Sequence, residues 1–252
     1  MELEIYPVQD QAKGNFNNGE ILENKPIGFP SDNGKLKPYS NIFYWAHAWT
    51  KSKKSTIGLH PHQGFEICSF ILKGNINHYD TKQKKWINLK EGDVQIIRSG
   101  NGISHAEEIM ENSEIFQIWF DPNLSKTLKE DPTYDDYKNE NFLIKKNNNV
   151  DIKIIKEGNT NFKMSSEDIT IKEYHLKYNP EKVSFNIKNK KIHSIFIIDG
   201  VLELNNQKLE KGTFFKVSKS NKFEINALSD VVLFEIISPI NPSYNTYANS
   251  MF

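Results

Sequence analysis

The chain is poor in cysteine, poorer in arginine, and has no excess of either charge. Cys68 is the single cysteine among 252 residues, so no intrachain disulfide can form. Its place in the apolar run from Phe65 to Leu72 marks it as a small buried hydrophobe compatible with a reducing compartment. Arg98 is the only arginine, so the planar guanidinium forks that grip phosphate or carboxylate are almost missing. Lys and Arg total 32, as do Asp and Glu, for a formal net charge of zero. A duplex binder normally carries a basic excess, so no direct nucleic-acid partner is expected. No hydrophobic run is long enough to cross a bilayer, and Met1-Glu2-Leu3-Glu4-Ile5 lacks a basic start followed by an apolar core. The expectation is a cytoplasmic protein with no membrane partner.

What the chain does have is a concentration of histidine. Four of its seven histidines lie between Gly58 and Glu107, interleaved with apolar runs that read as strands. Successive side chains on a strand point to opposite faces, so His60 and His62 share a face, and so do His105 and Glu107. Two such pairs on neighbouring strands can converge on one point. Three imidazoles and a carboxylate form a mixed nitrogen and oxygen set that suits Fe(II), Mn(II), Ni(II), Cu(II) or Zn(II). The absence of a thiolate partner argues against a structural zinc cluster and for an open, catalytic site. His47 shares a face with Phe43, Trp45 and Trp49 and reads as a core histidine. His78 has no partner at a matching spacing and reads as a surface or structural histidine, and Glu108 should face away from Glu107.

The rest of the chain reads as all-β. Turn formers crowd residues 1–40, which predicts short strands or hairpins there, and Asn41 to Trp49 is an aromatic strand. Residues 121–149 are polar and turn-rich, with a short helix expected around Leu124 to Glu130, which is the pattern of a connection between domains. The expected division is 1–139 and 140–252. Beyond it, strands recur at Asp151–Lys156, Ile169–Leu176, Val183–Ile187, Ile192–Ile198, Val201–Leu204, Thr213–Val217, Lys222–Ile225 and Val231–Ile237, a spacing typical of a sandwich or barrel. Ile195 to Glu203 echoes Phe70 to Ile76, and Leu209 to Gly212 echoes Leu89 to Gly92, as in an internal duplication. The second copy has no His-x-His and no His-x-Glu, and His175 and His193 stand alone, so it is expected to bind no metal. The tail from Pro239 to Phe252 is expected to fold back over the surface.

His60-Pro61-His62-Gln63-Gly64-Phe65-Glu66, the turn Gly92-Asp93-Val94-Gln95, Gly100-Asn101-Gly102-Ile103-Ser104-His105-Ala106-Glu107 and Gln117-Ile118-Trp119 together resemble the pirin family. The resemblance is dense over residues 58–120 and weak elsewhere. It implies two cupin-type β-sandwich barrels (a bicupin), with a metal, usually iron, in the first. The family's ligands fall on His60, His62, His105 and Glu107. The general cupin pattern would instead place the carboxylate at Glu66, four residues after His62, so both carboxylates stand as candidates, with the spared one orienting ligands. The resemblance further implies a dioxygenase that opens flavonols such as quercetin with O2, in which Glu107 takes the proton of a small aromatic or enol substrate. Phe65, Ile67, Ile96 and Trp119 are the candidate apolar lining, and a monomer is expected. The alternative is a non-enzymatic, iron-dependent redox sensor that binds a protein partner. A sugar-phosphate isomerase fits poorly with a single arginine.

Overall fold

Alternating and β-branched sequence makes strands nearly everywhere in this chain. In the computed structural model, which describes residues 1–250 with side chains through Ala248, they are β1 (Glu2–Tyr6), β2 (Ala12–Phe16), β3 (Ile21–Ile27), β4 (Ile42–Thr50), β5 (Ser55–His62), β6 (Glu66–Lys73), β7 (Asn75–Asp80), β8 (Trp86–Lys90), β9 (Val94–Arg98), β10 (Ile103–Ile109), β11 (Glu114–Phe120) and β12 (Thr133–Tyr137). The remainder are β13 (Leu143–Asn147), β14 (Val150–Lys156), β15 (Thr170–Leu176), β16 (Val183–Asn186), β17 (Lys191–Asp199), β18 (Val201–Leu204), β19 (Gln207–Glu210), β20 (Phe214–Ser218), β21 (Lys222–Ala227) and β22 (Val231–Pro239). Two one-turn helices, α1 (Leu124–Thr127) and α2 (Tyr247–Ser250), complete the elements used below. No helix among the described residues is long and apolar enough to cross a membrane.

The strands form two compact units. The N-terminal unit comprises Gln11–Asn141, Met164–Ser166 and the tail from Pro242. It contains a seven-stranded sheet in the order β12-β9-β6-β11-β4-β3-β2 and a four-stranded sheet in the order β5-β10-β7-β8. At one end the sheets share an apolar core in which Ile76, Leu89 and Ile109 of the small sheet meet Ile21, Ala48, Ile71 and Ile115 of the large one. The C-terminal unit comprises Met1–Asp10, Phe142–Lys163 and Glu167–Asn241. Its sheets run β1-β20-β17-β22-β15-β14-β13 and β16-β21-β18-β19. Strand for strand this is the order of the N-terminal unit, with β1 in the place held there by β12, so the duplication read from the sequence extends to topology.

Three local features depart from the sequence reading. The first ten residues belong to the C-terminal unit, because β1 pairs with β20 from Glu2 opposite Ser218 to Tyr6 opposite Phe214; a single cut at 139/140 does not describe these units. The polar stretch 121–149 holds two strands, β12 and β13. Both are edge strands, whose side chains are partly or fully exposed, so they lack the apolar alternation that marks a buried strand. Finally, β5 and β6 are separate strands in different sheets. Gly64 makes the break at φ +87°, where a Cβ would also lie 2.9 Å from Leu124 Cδ2. The Thr127 hydroxyl of α1 donates to the Gly64 carbonyl at 2.7 Å, and the Asn123 side chain caps that helix by accepting from Ser125 N–H.

The tail lies on the N-terminal unit. Tyr244 donates its hydroxyl to the Asp121 carbonyl at 2.9 Å, Tyr247 N–H donates to the Asp121 carboxylate, and the Tyr247 ring stacks on Phe43 at 5.2 Å. The last two residues of the tail expectation, Met251 and Phe252, lie outside the described residues.

Candidate metal centre

The small sheet of the N-terminal unit aligns its polar residues by register. His105, in the middle strand β10, pairs with His60 on β5 and with Asp80 on β7. One row on, Glu107 pairs with His78, and at the other side Ile103 pairs with His62. Paired residues of an antiparallel sheet project from the same face, so His60, His62, His78, Asp80, His105 and Glu107 all point the same way.

His60, His62 and His105 come together as one group, with ligand nitrogens within 4.8 Å of one another. Their ring centroids lie 4.4 to 4.8 Å apart. Glu107 forms a second group with His105 and His78, again within 4.8 Å. His105 belongs to both groups. His78, His105 and Glu107 are fully buried, while His60 and His62 are partly exposed.

The nitrogens suit a cation better than they suit one another. His60 Nδ1 lies 2.7 Å from the Gly58 carbonyl. A carbonyl only accepts, so Nδ1 carries the proton and Nε2 presents a lone pair. His62 Nε2 and both nitrogens of His105 are buried with no hydrogen-bond partner among the described residues, a costly condition for a polar atom unless something else binds it. Burial, and then the nearby imidazoles His105 and His60, push the His62 pKa down to about 3. Burial with His60 and His78 holds His105 well below its ordinary value. Both rings are therefore neutral at pH 7, the form that binds a metal. Three imidazoles beside Glu107 fit a first-row transition ion.

The opposing face of the large sheet holds Glu107. Ser69 pairs with Gln95 on one side and with Gln117 on the other, so these three polar side chains form a row across β9, β6 and β11. Ser69 Oγ and Gln95 Nε2 each donate to Glu107 Oε1 at 2.9 Å, and Gln117 Nε2 donates to Oε2. Trp119 Nε1 donates to Gln117 Oε1 at 3.0 Å, which fixes which end of the amide faces the carboxylate. Beside this cage His62 touches Trp119 at 5.1 Å and Phe65 at 5.3 Å, and Phe29, Phe43 and Tyr44 extend the aromatic cluster.

Glu66, the other carboxylate candidate, is engaged elsewhere. Its two oxygens accept from Ser165 N–H at 2.6 Å, Ser166 N–H at 2.9 Å and Ser166 Oγ at 2.6 Å. Burial raises its pKa despite those bonds. Ser69 reaches Glu107, so Glu66, three residues earlier on the same strand, faces the opposite side of the sheet. Ile96 also faces away: it pairs with Cys68, while Gln95 and Ile97 point inward, and it is Ile97 that packs with Ile67, Ile103, Phe65 and Trp119. His47 lies 3.3 Å from Glu114 on the far face of β4, since its neighbour Ala46 pairs with the inward Gln117. His78, read as a surface or structural histidine, is not on the surface. It is wholly buried, with Nε2 2.7 Å from Asp80 Oδ2 and its ring stacked on Tyr134 at 4.6 Å and 10°. The spacing signal was His78-Tyr79-Asp80, an i,i+2 pair of the kind recognised at His60 and His62.

Residues 33–120 match the Pirin family model. The chain is 36% identical over 100 residues to pirin-like protein 2 of Arabidopsis thaliana, covering 38% of this chain and 30% of that protein. It is 35% identical over 68 residues to quercetin 2,3-dioxygenase of Escherichia coli K12, covering 26% of this chain and 29% of that enzyme. Residues 33–120 are thus similar to the pirin family. The matches span about three tenths of the length of these curated relatives, whereas likeness of fold extends much further along the chain. The bacterial pirin YhhW of Escherichia coli, solved in complex with nickel(II), superposes with a TM-score of 0.78 over 94% of this chain and 99% of that one, at 18% identity. The two β-sandwich units thus have the fold of two cupin-type barrels, and the histidine cluster lies in the first.

Proposed function

We propose that this chain is a pirin-like, mononuclear metal-dependent dioxygenase acting on a small aromatic or enolic substrate, with His60, His62, His105 and Glu107 holding the metal and iron as its working ion. The observation that carries the reading is the convergence of His60, His62 and His105 with their available nitrogens turned toward one another, directly beside an aromatic wall. A first-row ion held there would supply Lewis acidity and redox chemistry toward O2.

The surrounding residues divide the remaining work. His60 is fixed in tautomer by Gly58, and His62 is wedged against Phe65 and Trp119, so both imidazoles are oriented before an ion arrives. Trp119 and Phe65, stacked at 5.0 Å and 26°, offer a flat apolar surface next to His62, which favours a planar ring and excludes water. Glu107 is the base in this reading: its three hydrogen bonds come from neutral donors, so no cationic side chain competes for the oxygen that would take a substrate hydroxyl proton. The relatives named quercetin 2,3-dioxygenase make a flavonol the first substrate to try.

The test is anaerobic loading with Fe(II), metal analysis, and O2 uptake with and without quercetin. Metal-dependent uptake with loss of the flavonol chromophore, absent in His105→Ala, is the expected result. Stoichiometric iron with no substrate-dependent uptake across a panel of flavonols and catechols would contradict the enzymatic reading.

A further inference from the structure

His78 and Asp80 have no role in the site as described, yet both are completely buried beside it. Asp80 is held as a carboxylate. Its Oδ1 accepts from Gln83 N–H at 2.6 Å and Lys82 N–H at 2.7 Å, and its Oδ2 faces His78 Nε2. A carboxylate only accepts, so the proton of the 2.7 Å contact sits on His78 Nε2. With Nε2 engaged by Asp80, His78 Nδ1 is left buried with no hydrogen-bond partner among the described residues, open to accept from a neighbouring N–H.

His105 presents the complementary deficit. Once one of its nitrogens faces a metal, the other must carry the ring proton, and that buried N–H needs an acceptor. Two candidates lie within 4.8 Å, His78 and Glu107. Glu107 already accepts from Ser69, Gln95 and Gln117, whereas His78 Nδ1 accepts from nothing. The His78 ring cannot turn away, being fixed by Asp80 at one edge and by Tyr134 across its face. The His105 ring makes no competing hydrogen bond among the described residues, and its centroid lies 5.8 Å from that of His78.

We infer that Asp80 and His78 form an outer relay that orients His105, with His105 N–H donating to His78 Nδ1 and His78 Nε2–H donating to Asp80. His78 is on this account a positioning residue and not a metal ligand, and the inference rests on the metal-site reading above. One proton assignment then satisfies every otherwise unpartnered nitrogen of the His78 and His105 pair.

The experiment uses the full chain loaded with Co(II) or Zn(II). His78→Phe keeps the stack on Tyr134 and removes the acceptor. It should weaken Co(II) binding in a chelator competition by about 10- to 100-fold and shift the visible bands of the cobalt protein, while His78→Gln, which restores an acceptor oxygen, should recover part of both. If His78→Phe does not fold, the parent protein loaded with Zn(II) still decides the matter. Its 1H–15N histidine correlations should show His105 carrying a protected ring N–H and His78 protonated at Nε2 alone. Parent protein that binds one Co(II), with unchanged affinity and spectrum in folded His78→Phe, would overturn the relay and leave the metal site standing. Two Co(II) per chain, falling to one in His78→Phe, would make His78 a ligand and overturn it in another way. No Co(II) in the parent would overturn the site reading itself.

Discussion

The two units have one topology and opposite interiors. Gly74 and Gly200 open equivalent hairpins, so β7 corresponds to β18 with His78 at the position of Leu204. Glu107 pairs with His78 as Ile225 pairs with Leu204, and His105 pairs with His60 as Phe223 pairs with Phe185. The positions of His60, His62, His105 and Glu107 are thus held in the C-terminal unit by Phe185, Ile187, Phe223 and Ile225, all buried. Phe185 and Phe223 stack at 4.9 Å and 11°. Where one unit buries imidazoles and a carboxylate, the other closes the same space with two phenyl rings and two isoleucines, each fully buried apolar side chain contributing about 1.5 to 3 kcal/mol. The frame does not require a site at this place, so the polar interior of the N-terminal unit is kept at a cost in stability that binding must offset.

That contrast can be broken from either side. The largest effect is expected from His105→Ala, which should take the metal content of the loaded protein from one ion per chain to none by elemental analysis while the C-terminal unit is untouched. Next comes Phe223→Ala at the matching position. It should cost about 3 to 5 kcal/mol in urea unfolding and leave metal content unchanged. Glu66→Gln sharpens the choice of carboxylate: removing the charge that Ser165 and Ser166 bind should cost about 1 to 3 kcal/mol, again with full metal. The smallest effect is one of pH on the metal-free protein. His62 has its pKa lowered to about 3 from an unfolded value of about 6.5. Its contribution is complete above pH 6.5 and is lost as pH falls from there toward 3. Asp121, raised to about 6 by burial, acts with the opposite sign, favouring the fold at low pH and losing that contribution as pH rises through 6. Comparing the acid limb of unfolding in His62→Phe with that of the parent isolates the His62 part, and the variant should show the shallower fall.

The site was legible wherever chemistry repeated at a spacing of two along one strand. His60 with His62, and His105 with Glu107, needed only the strand period. The count could not decide against Glu66, because Gln63, Gly64 and Phe65 are not strand and parity does not carry across a break between sheets. It erred by one at Ile96, since a continuous run such as Val94 to Ile97 does not say which residues face inward. The cage of Ser69, Gln95 and Gln117 and the placement of His78 depend on register between strands far apart in sequence. His193 was likewise read as solitary, although it lies buried 2.7 Å from Glu235, which also accepts from Tyr174 at 2.7 Å. The all-β class and the duplication followed from strand spacing and repeated phrases. The pairing of the first strand with β20, more than two hundred residues away, has no local signature.

The most direct test of the central claim is anomalous diffraction from crystals of the metal-loaded full chain. The account predicts a single peak enclosed by His60, His62 and His105, with Glu107 on its fourth side and none among Phe185, Ile187, Phe223 and Ile225. A principal peak elsewhere, or stoichiometric metal with the three imidazoles still unbound, would contradict it.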